Sequence, residues 1–489
     1  MRYFWNLWSR LIKNRIPYLL VMIASCTGCA VGPDYVPPQT TVPEQFMGST
    51  VQGISSEQVL ERWWSNFSDQ QLNKLVSTAV HSNIDLRAAI ARVNQARAIR
   101  QETFLDLFPT VGSDAVYTRN RTPTSTFAGG AIQNGNNYIN NEYYNAGFDA
   151  FWELDIFGRV RRSVEVKDAE SEASVAELHD AIRILVSEVA RNYFELRGTQ
   201  LQISVSNENA RTQEQVVRVA TALFKGGQST EFDLLRAQAQ HSSTLATIPP
   251  LEARAKAAVY RLAVLCGKQP QELVLDGAQA FPIYVGPITL GDPAGLLQRR
   301  PDIRAVERQL GAATAGIGVA RGDLFPKVTF MGSVGFQANT VSELSSGNNE
   351  TYGIGPSISW PALNIGRVFA NIDQSEAVQQ QVIARYEQAV LLALEETERA
   401  LVQFSASRQR RDYLKDAVEH SSKAVAIAQT QYENGLIDLL PVLDAQRSAL
   451  TSQLQLAESE TGLLTALVAL FKALGGGWDE AIAEVKLAT

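Results

Sequence analysis

Two kinds of apolar spacing divide this chain. In a few short stretches apolar and polar residues take turns. Tyr144, Ala146, Phe148, Ala150 and Trp152 alternate with Asn145, Gly147, Asp149 and Phe151. Val328, Phe330, Gly332, Val334 and Phe336 alternate with Thr329, Ser333 and Gln337, and Tyr352, Ile354, Pro356, Ile358 and Trp360 form a further apolar face. A period of two predicts strands with one greasy and one wet side. The polar, Gly/Asn-rich segments Arg119–Asn141 and Asn339–Glu350 read as exposed loops between paired strands. A soluble sandwich uses the same alternation. Four strands, however, are too few to close a barrel, and open edges cannot face lipid. An exported chain with these strands needs partners to close one.

Most of the remainder reads as helix. A helical stretch leads to Phe108-Pro109 and another to Phe325-Pro326, where proline breaks it. From Gly158 to Gly227, and again from Gly366 to Gly435, 69 residues pass without proline. At 1.5 Å per residue each makes about 100 Å of helix. That is several times the usual globular length and implies a coiled-coil-like or helical-barrel arrangement. Alanines recur (Ala169, Ala173, Ala176, Ala181, Ala190; Ala370, Ala377, Ala384, Ala389, Ala393) and permit close helix approach. Each stretch ends at a glycine-containing turn, and a returning helix is expected near Glu231 and near Asp438. The fold class is therefore mainly α with a β part.

The chain is also duplicated. Asp85-Leu86-Arg87-Ala88 parallels Asp302-Ile303-Arg304-Ala305, and Asp106-Leu107-Phe108-Pro109 parallels Asp323-Leu324-Phe325-Pro326, both at an offset of 217. Trp152, Gly158 and Arg159 parallel Trp360, Gly366 and Arg367 at 208. Glu188 and Arg191 parallel Glu396 and Arg399, and Gly227, Ala237 and Gln238 parallel Gly435, Ala445 and Gln446, still at 208. The single change of nine residues lies in one connecting region, between the Phe-Pro pairs and the Trp-Gly-Arg elements. A repeat this long is a half-structure, not a solenoid unit.

Composition narrows the function. The 489 residues carry a net charge of −7, so no basic excess points to nucleic acid. After the N-terminal segment no run of eighteen or more apolar residues occurs, which excludes a helical transmembrane bundle but not a β-barrel. Of three cysteines, Cys26 and Cys29 edge the N-terminal apolar segment, leaving only Cys266 for the fold. That excludes a disulfide scaffold or a multi-cysteine zinc site. The histidines His81, His179, His241 and His420 are far apart and read as surface or packing residues, not metal ligands. No nucleotide loop, HExxH or Ser/His/Asp set is found, so neither an enzyme nor a cofactor is expected.

The N-terminus reads as an export signal. Arg2, Arg10, Lys13 and Arg15 precede a short apolar core, Ile16 to Ala24. It ends in Ile23-Ala24-Ser25-Cys26-Thr27-Gly28-Cys29, small residues before a cysteine as in a bacterial lipobox. Cys26 has the better preceding tripeptide. Cys29 is followed by Ala30-Val31-Gly32-Pro33-Asp34-Tyr35, which resembles the mature start of a bacterial lipoprotein family, and that resemblance favours Cys29 as the lipidated residue, with Cys26 the alternative. Neither is followed by Asp, which is compatible with sorting to the outer membrane.

Several of these pieces resemble the TolC-type outer-membrane efflux duct family, in particular its NodT-like lipoprotein branch. They are Cys29–Tyr35, Arg62-Trp63-Trp64 with Phe67 and Asp69, Arg261-Leu262-Ala263-Val264-Leu265 with Gly267, Arg299-Arg300-Pro301-Asp302-Ile303-Arg304, and Val442-Leu443-Asp444-Ala445-Gln446-Arg447. The resemblance runs from Cys29 to about Gly477. It implies a homotrimer in which four strands per subunit close a twelve-stranded barrel in the outer membrane, with long coiled helices forming a periplasmic α-barrel. It also implies a periplasmic adaptor and an inner-membrane pump as partners, outer-membrane lipid around the barrel, and a covalent lipid on the N-terminal cysteine as the only attached group. The division expected is a signal over 1–28, an N-terminal equatorial segment over 29–80, a first repeat over 81–267, an equatorial connection over 268–299, a second repeat over 300–474 and a tail over 475–489. Asp444 matches the family position that rings the closed aperture, and Leu440 an apolar constriction. Asp233 and Tyr432 match a pair that holds neighbouring coils together. Pro441 stands where some relatives carry a second acidic residue. The function implied is the exit duct of a tripartite efflux pump for small toxic compounds. A type I protein secretion duct and a non-channel periplasmic coiled-coil scaffold are the alternatives.

Overall fold

The computed structural model describes residues 30–47, 54–55, 61–123, 138–275, 281–286 and 288–478. Cys26, Cys29 and most of the expected tail lie outside the described residues. Nine helices and six strands follow in the described chain. The helices are α1 (Gln70–Ser82), α2 (Ile84–Leu105), α3 (Arg159–Lys225), α4 (Glu231–Leu245), α5 (Ile248–Leu265), α6 (Pro293–Arg299), α7 (Pro301–Gly322), α8 (Ile365–Glu433) and α9 (Leu439–Ala473). The strands are β1 (Ile54–Ser55), β2 (Thr110–Pro123), β3 (Tyr138–Leu154), β4 (Ile288–Thr289), β5 (Lys327–Ala338) and β6 (Glu350–Ser359).

The chain divides into two units. The first gathers residues 1–38, 95–172 and 307–384. It holds a four-stranded antiparallel sheet in the order β2-β3-β5-β6. The duplication is visible in its bonds. Trp152 Nε1 donates to the Leu107 carbonyl at 2.9 Å, and Trp360 Nε1 donates to the Leu324 carbonyl at 3.0 Å. The turn that closes each Phe-Pro corner is likewise shared, with the Phe108 amide bonded to Leu105 and the Phe325 amide to Gly322. Phe157 stacks on Phe325 at 4.6 Å.

The second unit gathers residues 39–94, 173–306 and 385–489. Its core is helical. Along α3 the residues Leu178, Ile182, Leu185, Val189, Tyr193 and Leu196 are buried, at spacings of three and four that keep one stripe facing inward. Trp63 stacks on Phe471 at 5.2 Å and Phe67 meets Phe194 at 4.7 Å. Burial of each such ring stabilises by about 1.5–3 kcal/mol. The quoted motifs build this core. Asp69 caps α1 by accepting from the Gln71 and Leu72 amides, and its other oxygen accepts from Tyr193 Oη at 2.6 Å. Arg300, whose side chain is buried, donates to Asp302 and to Glu396. The Arg300 cation holds the Asp302 carboxyl below the usual carboxylate range even though burial pulls the other way.

Three expectations need correction. The segment Arg119–Asn141 is strand at both ends, because β2 runs to Pro123 and β3 begins at Tyr138. Its polar residues find partners across the strands: Arg119 pairs with Glu142, and Arg121 lies over the Tyr138 ring. Polarity there marks an exposed strand end. Glu350 likewise starts β6 and does not belong to a loop. The first returning helix is two helices, since Pro249 and Pro250 cannot continue α4 and instead open the first turn of α5. In the second half α9 returns unbroken. It includes one window apolar enough to cross a membrane, and half of that window is buried in the protein core.

Candidate functional site

Two surfaces carry the chemistry, one in each unit. The sheet of the first unit has two unlike faces, fixed by register. Tyr144, Ala146, Phe148, Ala150, Trp152 and Leu154 share a side with their cross-strand partners Ala338, Phe336, Val334, Gly332, Phe330 and Val328. Tyr352, Ile354, Pro356 and Ile358 continue that side on β6, and Val111, Ala115 and Tyr117 on β2. Phe148, Val334, Tyr352, Ile354 and Ile358 are exposed, an apolar face with no cover among the described residues. The opposite side is mostly polar, carrying Asp114, Asn145, Asp149, Thr329, Ser333, Gln337, Thr351 and Ser357, with Val116, Phe151 and Met331 among them. There Asn145 donates to Asp114 at 2.8 Å. Edge strands β2 and β6 each pair on one side only among the described residues.

The second surface is the pair of helical tips. The turn after α3 bonds the Gln228 amide to the Leu223 carbonyl and the Gly227 amide to that of Phe224. The turn after α8 repeats it, Leu436 to Gln431 and Gly435 to Tyr432. This doubled bond pattern requires a left-handed residue, and Gly227 and Gly435 supply it with φ of 67° and 71°. The tips then pack together: Val216, Ala220, Ala237, Leu439, Val442 and Leu443 form one small core, with Leu234, Tyr432 and Ile437 against it.

All four tip residues singled out by sequence lie here. Asp233 is the third residue of α4 and closes a capping box: its carboxylate accepts from the Thr230 amide at 3.3 Å, and also from Thr230 Oγ1 at 2.7 Å, while its own amide donates to Thr230 Oγ1. The Thr230 hydroxyl holds its carboxyl below the usual range, aided by Ser229. The Tyr432 hydroxyl is buried and makes no hydrogen bond among the described residues. Burial, then the charge of Asp233, pushes its pKa up. Within one subunit Asp233 and Tyr432 are thus close enough to feel each other, while the carboxylate's hydrogen bonds are local. Leu440 and Asp444 are exposed on one face of α9, with Pro441 beside them, and Leu439, Val442, Leu443 and Gln446 are buried behind.

Sequence reasoning missed Arg447 as a partner. Its guanidinium reaches Asp444 at 3.1 Å, three residues along the same helix. The spacing was a usable signal, since charges at i and i+3 are neighbours on a helix. Among the described residues no group of three His, Cys, Asp or Glu side chains is placed to hold a metal ion.

A family model described as outer membrane efflux protein matches residues 75–268 and 293–476. The chain is 29% identical over 475 residues to nodulation protein T of Rhizobium leguminosarum bv. viciae, covering 96% of this chain and 94% of that protein. It is 29% identical over 474 residues to the solvent efflux pump outer membrane protein SrpC of Pseudomonas putida, covering 96% and 98%. Among solved structures the outer-membrane channel OprN superposes with a TM-score of 0.84 at 37% identity, over 92% of this chain and 100% of that one.

Proposed function

Given that the chain belongs to the outer membrane efflux protein family, we propose that three copies assemble into one duct, each contributing four strands to a twelve-stranded barrel. The chain is an outer-membrane exit channel of a tripartite efflux pump and reaches into the periplasm. The observation that carries the trimer is the sheet. Its apolar face suits lipid and its largely polar face suits a water-filled lumen, yet among the described residues its β2 and β6 edges each pair on one side only. Joining β6 of one copy to β2 of the next satisfies them. The long helices α3 and α8 then line a periplasmic passage. A periplasmic adaptor and an inner-membrane pump dock below, the pump supplies the energy, and an acyl chain on Cys29, or on Cys26, anchors the N-terminus.

The cargo is a small toxic compound. The relative SrpC, named for solvent efflux, and the lipobox favour this over protein secretion. The aperture lies at the tips, where three copies of Leu440 and Asp444 converge and the Asp233–Tyr432 neighbourhood restrains the coils. The test is deletion of the chain in its own host. Susceptibility to solvents, dyes and drugs should rise several-fold while exported proteins stay unchanged. Unchanged susceptibility with loss of a secreted protein would assign the duct to protein secretion. Native mass measurement on detergent-extracted protein should give three copies, and a monomer would contradict the barrel.

A further inference from the structure

Phe151 and Met331 stand on the wet side of the sheet. They are cross-strand partners on β3 and β5, and they are 53% and 48% exposed. The apolar face does not account for them, because register turns them away from it. The same register extends the pair into a row, Thr110, Phe151, Met331 and Gly355, across β2, β3, β5 and β6. The next row on that side is Gly112, Asp149, Ser333 and Gly353. Two residues of strand separate the rows, about 7 Å. An open bay of about 570 Å³ lies at these rows, lined by Asp149, Phe151, Met331, Ser333, Gly353 and Gly355.

Glycine makes the room on β6. A Cβ on Gly355 would meet nothing within 4 Å, and one on Gly353 would come 3.3 Å from Ser333 Oγ. The strand therefore passes the bay with bare backbone, beside the Phe151 and Met331 side chains. Charge is the second feature. On the same side of the sheet Glu153 is paired with Arg159, Lys327 with Asp323, and Asp114 accepts from Asn145. Asp149 makes no hydrogen bond or ion pair among the described residues. An open carboxylate near an aromatic ring and a thioether suits one kind of guest, a cation with an apolar body. The carboxylate and the negative face of the ring both attract the charge, and methionine adapts to the shape of the body. An anion forfeits the first two attractions.

We propose that this bay is a cargo-binding station for hydrophobic organic cations, with Asp149 as the charge partner and Phe151 and Met331 as the apolar floor. This rests on the reading of the polar face as the lumen of a duct, and it names a cargo class that reading leaves open. In the trimer three such bays line the barrel wall, and the wall holds these cations in preference to anions of the same size.

The test records the full-length protein in planar bilayers while tetraphenylphosphonium is added on the side of the barrel. The probe should interrupt the current of the unaltered protein in a concentration-dependent way, and benzoate, an aromatic anion, should not. Asp149→Asn, which removes the charge at constant shape, and Phe151→Leu, which removes the ring, should each raise the half-blocking concentration about five-fold. Gly355→Val fills the bay from β6 with a residue that suits a strand, and should raise it by as much. That variant carries the test should Phe151→Leu fail to assemble. No block of the unaltered protein, block equal in all the variants, or equal block by benzoate would overturn the proposal. Absence of any conductance from assembled protein would instead defeat the duct reading, and the proposal with it.

Discussion

On the exposed face of α9 Asp444 does not stand alone. Its ion pair with Arg447 is exposed, so it adds only about 0–1 kcal/mol to stability. In the proposed trimer it matters for the field instead, because three carboxylates brought to one axis would repel and draw in cations. Arg447→Ala should shift the reversal potential in a salt gradient toward cations, and Asp444→Asn should shift it away, with thermal stability changed by less than about 0.5 kcal/mol in either. Equal reversal potentials in both variants would remove Asp444 from the aperture. Asp233 makes a second residue-scale prediction. Its carboxyl is held low in the folded tip, so its stabilising contribution is complete above its unfolded pKa of about 3.9 and fades only as pH falls through the lower folded value. Hydrogen exchange at the Asp233 amide should stay slow from pH 7 to 5, after correction for intrinsic rates, and Thr230→Ala should weaken the cap by about 1 kcal/mol. That these four residues lie at the helical tips was legible because the glycine turns mark where the long helices end. The hidden Tyr432 hydroxyl was not, since burial of a hydroxyl depends on which helix packs over it.

Strands and turns obey a simpler logic. The alternation along β3 and β5 was readable because lipid and water impose opposite demands on adjacent residues, and the register places the two apolar rows side by side. Phe148→Arg, on the apolar face, should cost about 2–4 kcal/mol and deplete assembled protein in the outer membrane, while Ser333→Arg on the polar face should assemble normally. Equal assembly of the two variants, scored by heat-resistant oligomer on gels, would contradict the assignment of faces. What escaped the sequence was the length of β2 and β3. Arg119, Arg121 and Glu142 look like loop residues, yet in strand ends their side chains bond across the pair. The split of α4 from α5 was written in Pro249-Pro250, whose missing amides matter more than the periodicity around them. At the tip turns Gly227 and Gly435 have open space around a Cβ, so Gly435→Ala should cost only the left-handed strain, about 1 kcal/mol.

For the whole molecule the duplication is the deepest regularity. Two repeats that share the Trp-to-carbonyl bond, the Phe-Pro corner and the tip turn give a subunit with two strand hairpins and two tip hairpins. In the proposed trimer, copies of that chain close the barrel. The long helices were legible from proline-free runs, whereas Trp63, Phe67 and the Arg300–Asp302 pair stood out only as motif pieces and their place in the core came from the fold. The bonds from Arg162 to the Val31 and Gly32 carbonyls were not legible, because they read backbone carbonyls beside close glycine contacts that no side-chain pattern encodes. Single-channel recording in planar bilayers tests the central claim most directly. The unaltered protein should open in small, uniform steps, and the Asp233→Ala, Tyr432→Phe double variant in steps several-fold larger as the tip restraint is lost. Absence of any conductance from correctly assembled protein would contradict the duct itself, and equal steps from both proteins would contradict the gate at the tips.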